Sequence, residues 1–177
     1  SEQQKEADSF QKYYEKPARR FGLSPSAYQI RGERLPKNRL AILEGRIPTK
    51  ELLACARSRG VTLTELLTAV LLRAVHDGMR VRDWKKPAAV TIPVNLRNYF
   101  PSFSSRNFFA IFHVQYDFGK NPDSLEAVLA SVKRDFQEKL TAEQLKAQMN
   151  SLCALEHNFP ARIAPLPLKD IVLRCAN

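Results

Sequence analysis

Residues 51–78 read ELLACARSRGVTLTELLTAVLLRAVHDG, and their punctuation decides how the chain folds. Pro48 and Thr49 stand where a helix start wants them, and Leu52, Leu53 and Ala56 mark the stripe such a helix buries. Gly60 takes the left-handed conformation that closes a helix at little cost. Thr62 and Glu65 then form a capping-box pattern, each side chain satisfying a free N–H at a new helix start. Leu63, Leu66, Leu67, Val70, Leu71, Ala74 and Val75 follow the i, i+3, i+4, i+7 rule, which predicts a core helix running to about Gly78.

Outward from this pair, Ala88 to Val94 (AAVTIPV) is a short apolar run rich in β-branched residues, expected to be a strand covered on both faces. Asn107 to Phe118 (NFFAIFHVQYDF) alternates. Phe108, Ala110, Phe112, Val114, Tyr116 and Phe118 share one apolar face, and Phe109, Ile111, His113, Gln115 and Asp117 share the other. Asp123 with Glu126 caps a helix striped by Leu125, Val128, Leu129, Val132 and Phe136. Thr141 with Gln144 caps another carrying Leu145, Met149 and Leu152. Toward the N-terminus, Arg39 to Ile47 (RLAILEGRI) is strand-like. The Pro- and Gly-punctuated residues 17–37 read as a linker, behind a helix over Asp8–Lys16 that presents Phe10, Tyr13 and Tyr14. Residues 160–177 read as a short amphipathic helix after PLPL. The expected class is therefore α/β in the α+β, two-layer sense, with helices covering a mixed sheet. Two regions are expected, an N-terminal helix and linker over 1–37 and a lobe over 38–177.

Composition narrows the function. At 177 residues, 44% hydrophobic and 26% charged, the chain resembles an ordinary globular protein rather than a disordered one. It has no apolar run of the ~18–20 residues a membrane span needs, and the polar start SEQQKEADSF is no signal peptide. Cys55, Cys153 and Cys175 are odd in number and widely spaced, which argues against a disulfide scaffold or a zinc finger and implies a reducing, cytoplasmic setting. Ser1 in place of a methionine implies a boundary set by expression or processing.

The net charge is +10. Its positives are scattered, at Arg19 and Arg20, Arg31 to Arg39, Arg73 to Lys86 and Arg162 to Arg174. No nucleic-acid-binding signature accompanies them, so a solvated basic surface leads, followed by a phosphate-rich cofactor such as coenzyme A or an acidic carrier protein.

Single histidines are weak pointers. His76 in HDG fits a helix C-terminus with a stopping glycine; His113 lies mid-strand; His157 has no nameable partner. The six glycines form no phosphate-binding loop. The informative stretch is Val90 to Phe109, VTIPVNLRNYFPSFSSRNFF, where an apolar strand ends in Asn95 and Arg97 and Arg106 with Asn107 opens the next. Polar groups at strand ends order a loop or line a cleft, and a buried Arg97 would hold the loop through several hydrogen bonds.

This stretch, with the ELLACARSRGVTLTELLTAVLLRAV run before it, resembles the coenzyme-A-dependent acyltransferase superfamily, which includes chloramphenicol acetyltransferase and the condensation domains of nonribosomal peptide synthetases. LTAEQLKAQMNSLCALEHNF and PLPLKDIVLR are similar to its alcohol-acetyltransferase-like branch, and the resemblance covers roughly residues 8–177. It implies the C-terminal lobe of a chloramphenicol-acetyltransferase-like fold, with a tunnel in which an acyl thioester meets an alcohol or amine acceptor. In that family an HHxxxDG histidine of the first lobe removes the acceptor's proton. That motif is absent here: AVHDG at His76 lacks the paired histidines and the spacer. YDFGK at 116–120 is similar to a motif of plant relatives but lacks its Trp-Gly, and carries no role.

The resemblance thus implies a linker and second lobe without the base, with Asn95, Arg97 and Asn107 shaping the tunnel floor and His113 its wall. It implies acyl-coenzyme A as co-substrate, no covalently bound cofactor, and no metal. Implied partners are the first lobe of the same protein and an acyl carrier; a homodimer belongs to the competing reading. The chain alone is expected to be inactive. The competing reading is a non-catalytic module with a basic surface that binds a partner or itself.

Overall fold

The computed structural model describes residues 9–15, 26–30, 32, 35–36 and 39–157. Five helices and two strands follow in order: α1 (Ser9–Tyr13), α2 (Thr49–Ser58), α3 (Leu63–Asp77), β1 (Ala88–Asn95), β2 (Phe109–Tyr116), α4 (Leu125–Lys139) and α5 (Ala142–His157), with single 3₁₀ turns at Val81–Asp83 and Leu96–Asn98. The class is α+β. Among the described residues the sheet has only β1 and β2. Leu96 N–H donates to the Phe108 carbonyl and Thr91 meets His113, so residue numbers rise on one strand as they fall on the other: the pair is antiparallel. The expected mixed sheet is corrected accordingly, because no parallel pair occurs among the described residues.

The chain divides into two compact units. The first takes Ser1–Ser26, Thr91–Val114 and Asp135–Asn177; the second takes Ala27–Val90 and Gln115–Arg134.

In the first unit a core forms from Leu96, Phe100, Phe108, Ala110, Leu145, Met149 and Cys153. Of β2, Ala110 joins this core; Phe112 and Val114 are buried on the same strand face, and Phe112 meets Phe136 edge-on at 5.1 Å. Helix α1 packs on α5, and Phe10 meets Phe108 edge-to-face at 5.1 Å. Tyr13 donates its hydroxyl to the Pro101 carbonyl at 2.6 Å. Thr141 caps α5 by accepting from Gln144 N–H, and Leu145 and Met149 are buried as their spacing predicts. The expected helix over 8–16 is shorter, ending at Tyr13. Strand β1 is covered on one face, not both: Thr91, Pro93 and Asn95 are exposed. With Leu96 opposite Phe108, Pro93 occupies a position whose N–H side faces away from β2, which is where an edge strand tolerates proline.

In the second unit α2 packs on α3. Gly60 adopts φ 64° behind α2, and the capping box opens α3, with Thr62 N–H donating to Glu65 at 2.6 Å and Glu65 N–H to Thr62 at 3.3 Å. Arg73 bridges Asp77 at 3.1 Å and Asp123 at 2.6 Å. That ion pair occupies Asp123, so Ser124 rather than Asp123 caps α4, accepting from Ala127 N–H at 3.2 Å. Val128, Leu129 and Val132 are buried as expected.

Two expectations fail in this unit. The buried face of α3 is Glu65, Leu66, Thr68, Ala69 and Leu72, while Leu67, Val70, Leu71 and Ala74 of the expected stripe are exposed. Residues 39–47 form no strand, and Leu40, Ile42 and Leu43 are 94%, 91% and 99% exposed. A strand exists only where a neighbour's edge takes its backbone groups, and none of the described residues does so for 39–47. The expected helix after residue 160, most of the 17–37 linker, Leu152's side chain and Cys175 lie outside the described residues or side chains.

Candidate site at the strand ends

β1 stops at Asn95 because its side-chain oxygen accepts from Arg97 N–H at 3.1 Å, turning the backbone into a 3₁₀ turn. Arg97 then reaches across the loop. One guanidinium nitrogen donates to the Ser104 carbonyl at 2.8 Å and the Arg106 carbonyl at 2.6 Å, fastening both to the start of the turn. Inside the loop, Ser104 N–H donates to Ser102 Oγ and Arg106 N–H to Ser104 Oγ, each at 3.2 Å. Leu96 and Phe108, both buried, anchor the two ends of this loop.

The clamp brings Asn95, Arg97, Arg106 and Asn107 to one end of the sheet. Asn107 is exposed and makes no hydrogen bond among the described residues, and the Arg106 guanidinium has no ion-pair partner among them. Phe109 stands opposite Asn95 with half its surface in solvent. Sequence reasoning missed Arg106 as a separate site candidate; only the clamp shows that its carbonyl is tied down while its exposed guanidinium has no ion-pair partner among the described residues.

His113 is not part of that group. It shares the exposed face with Asn95, but it pairs with Thr91, four residues along β1, or about 13 Å at ~3.3 Å per residue. Its Nδ1 lies 3.0 Å from Thr91 Oγ1. Its carbonyl accepts from Lys139 Nζ at 3.1 Å, and Lys139 is paired to Asp135 at 2.7 Å. Gln148 donates to the Ile111 carbonyl on the same edge. These two side chains cap the outer edge of β2. Among the described residues the ring meets the Thr91 hydroxyl and no carboxylate.

The His76 ring stacks on Phe118 at 4.0 Å and 10°, beside Trp84. Cys55 has Arg59 Nη1 at 3.0 Å from its sulfur. Tyr116 donates to the Pro122 carbonyl at 2.7 Å, and burial, with the Asp123 carboxylate second, pushes its phenol above the ordinary value. No group of His, Cys, Asp and Glu among the described residues is placed to hold a metal ion, and no helix there is long and apolar enough to cross a membrane. Comparison with family models, curated proteins and solved structures returns no match.

Proposed function

We propose that the chain is the second-lobe part of an acyltransferase, holding a thioester donor while a histidine outside this chain activates an alcohol or amine acceptor. The reaction transfers the acceptor's proton to that base as its oxygen or nitrogen bonds to the thioester carbonyl carbon. The carbon–sulfur bond then breaks, and the thiolate leaves with a proton returned from the base. This chain's residues supply position and charge rather than proton transfer.

The observation that supports this reading is the clamp: Arg97 fastens the loop between the strands through two carbonyls, and Asn95, Arg106 and Asn107 at the strand ends are all exposed. Amide groups there suit the pantetheine and acyl oxygens of a thioester. Arg106 and a net charge of +10 suit the phosphates of coenzyme A or the acidic face of a carrier protein.

Titration calorimetry with acetyl-coenzyme A tests it. The chain is expected to bind, and Arg106→Ala to weaken binding by about tenfold, the effect of losing one charge-assisted contact. Incubated with acetyl-coenzyme A and an alcohol, the chain alone is expected to give no turnover. Turnover would locate a base among these residues and overturn the assignment. Absence of binding to both coenzyme A and a loaded carrier protein would favour the non-catalytic module.

A further inference from the structure

Helix α3 carries apolar residues on two sides, and only one of them is covered. Leu66, Ala69 and Leu72 are buried, and Leu67, Val70 and Leu71 form an i, i+3, i+4 stripe with about half of each side chain in solvent. A contiguous apolar stripe on a helix normally has a cover. The same unit carries the complementary feature: Leu40, Ile42 and Leu43 sit almost fully exposed on a segment with no regular structure. Neither feature satisfies the other within one chain, since covering the stripe with the segment would have buried both.

We infer that a second copy of this chain covers α3, each copy laying its residues 39–47 along the Leu67–Val70–Leu71 stripe of the other. The area fits. Each aliphatic side chain removes on the order of 100 Å² of apolar surface when buried. Three such side chains per copy are almost fully exposed and three about half, so used reciprocally they reach roughly 900 Å², and backbone and flanking atoms carry the total to the ~1,000 Å² a specific interface needs. The arrangement is isologous, so it closes at two copies and does not propagate. Both copies carry +10, so their repulsion opposes docking and added salt strengthens it. This inference stands apart from the acyltransferase reading, because it uses neither Asn95, Arg97, Arg106 nor Asn107.

Sedimentation velocity tests it with three samples of the full 177-residue chain. The unaltered chain, 20.2 kDa, is expected to sediment at twice its mass at micromolar concentration, more completely at high salt. A segment variant, Ile42→Asp with Leu43→Asp, and a stripe variant, Leu67→Asp with Leu71→Asp, are each expected to be monomeric with unchanged helical circular dichroism. Mixed in equal amounts, the two variants are expected to recover a weaker dimer, because the mixed pair keeps one intact segment-on-stripe contact. If the stripe variant loses helical signal, Leu67→Ser with Leu71→Ser takes its place in the same mixing measurement. A monomeric unaltered chain at all salt concentrations would overturn the inference and assign the stripe to another partner. Dimers that persist in either variant, or a mixture that stays monomeric, would overturn it equally.

Discussion

The two compact units bury their apolar residues to very different degrees. In the first, aromatic and aliphatic side chains from α1, the strand ends and α5 close around Phe108, and among the described residues its only exposed large apolar side chains are Phe103 and Phe109. The remaining large apolar residues left in solvent all belong to the second unit, on residues 30–47, on α3 and around Val81 and Trp84. Burial stabilises by about 25 cal/mol per Å² of apolar surface, so the first unit has drawn most of what its sequence offers and the second has not. The difference is one of exposed chemistry: what the closed unit leaves in solvent at its strand ends is mostly polar, and what the open unit leaves in solvent is an apolar surface.

The comparison is sharpest at Phe108, 2% exposed and in contact with both Phe10 and Tyr13. Phe108→Ala is expected to lower the unfolding free energy by about 3–5 kcal/mol. It should also release α1, read as lost amide protection over residues 9–13 in hydrogen exchange. An effect under about 1 kcal/mol would mean that the first unit is no more closed than the second. In the second unit the corresponding probe is Leu72, fully buried, where Leu72→Ala is expected to cost about 2–5 kcal/mol in urea denaturation.

Polar anchors of the second unit come next in size. Thr62→Ala removes one side of the capping box and is expected to cost about 1 kcal/mol, measured as a lower urea midpoint at unchanged slope. Tyr116→Phe is expected to cost a similar ~1 kcal/mol through the lost bond to Pro122. Its pH dependence carries the second test. The folded phenol ionises at higher pH than the unfolded one, so the folded state keeps a proton that the unfolded chain has released. That contribution is fully present below pH ~10 and is lost as pH rises through the folded value. The Phe variant should therefore lose less stability than the parent above pH ~10, and parallel profiles would remove the assigned cause.

These probes also show how far the sequence could be read. The caps at Thr62 and Thr141, the left-handed Gly60, the α4 and α5 stripes and the inward face of β2 were legible because each is a local rule with a local cause. At the strand ends the expectation that Arg97 holds the loop through several hydrogen bonds is met, although Arg97 is exposed rather than buried; which carbonyls it takes, seven and nine residues away, carried no sequence signal. The cap of α4 moved by one residue because Arg73, fifty positions earlier, takes Asp123. Pairing of His113 with Thr91 required a strand register that no spacing states.

Helix α3 is the instructive misreading. Leu63, Leu66, Leu67, Val70, Leu71, Ala74 and Val75 make the better stripe on paper, yet Leu66, Ala69 and Leu72 are the residues covered. With apolar residues on both sides, periodicity alone ranks the faces by hydrophobicity. Burial is decided instead by what anchors the helix: the Thr62–Glu65 box, the packing of α2 and the Arg73 bridge to Asp123. Leu71 is 49% exposed and its neighbour Leu72 is 0% exposed, so the two readings of this helix make opposite demands on adjacent residues. Leu71→Ala is expected to change monomer stability by less than about 0.5 kcal/mol, the scale of a surface substitution. The measurement is chemical denaturation at a concentration where the chain sediments as a monomer. Repeated at high concentration, the same substitution should cost more, because a partner that binds only the folded chain adds stability by mass action. A cost near that of Leu72→Ala in the dilute monomer would place Leu71 in the core and reverse the face assigned to α3. A small cost that stays the same at every concentration would keep the face and leave the stripe without a second copy on it.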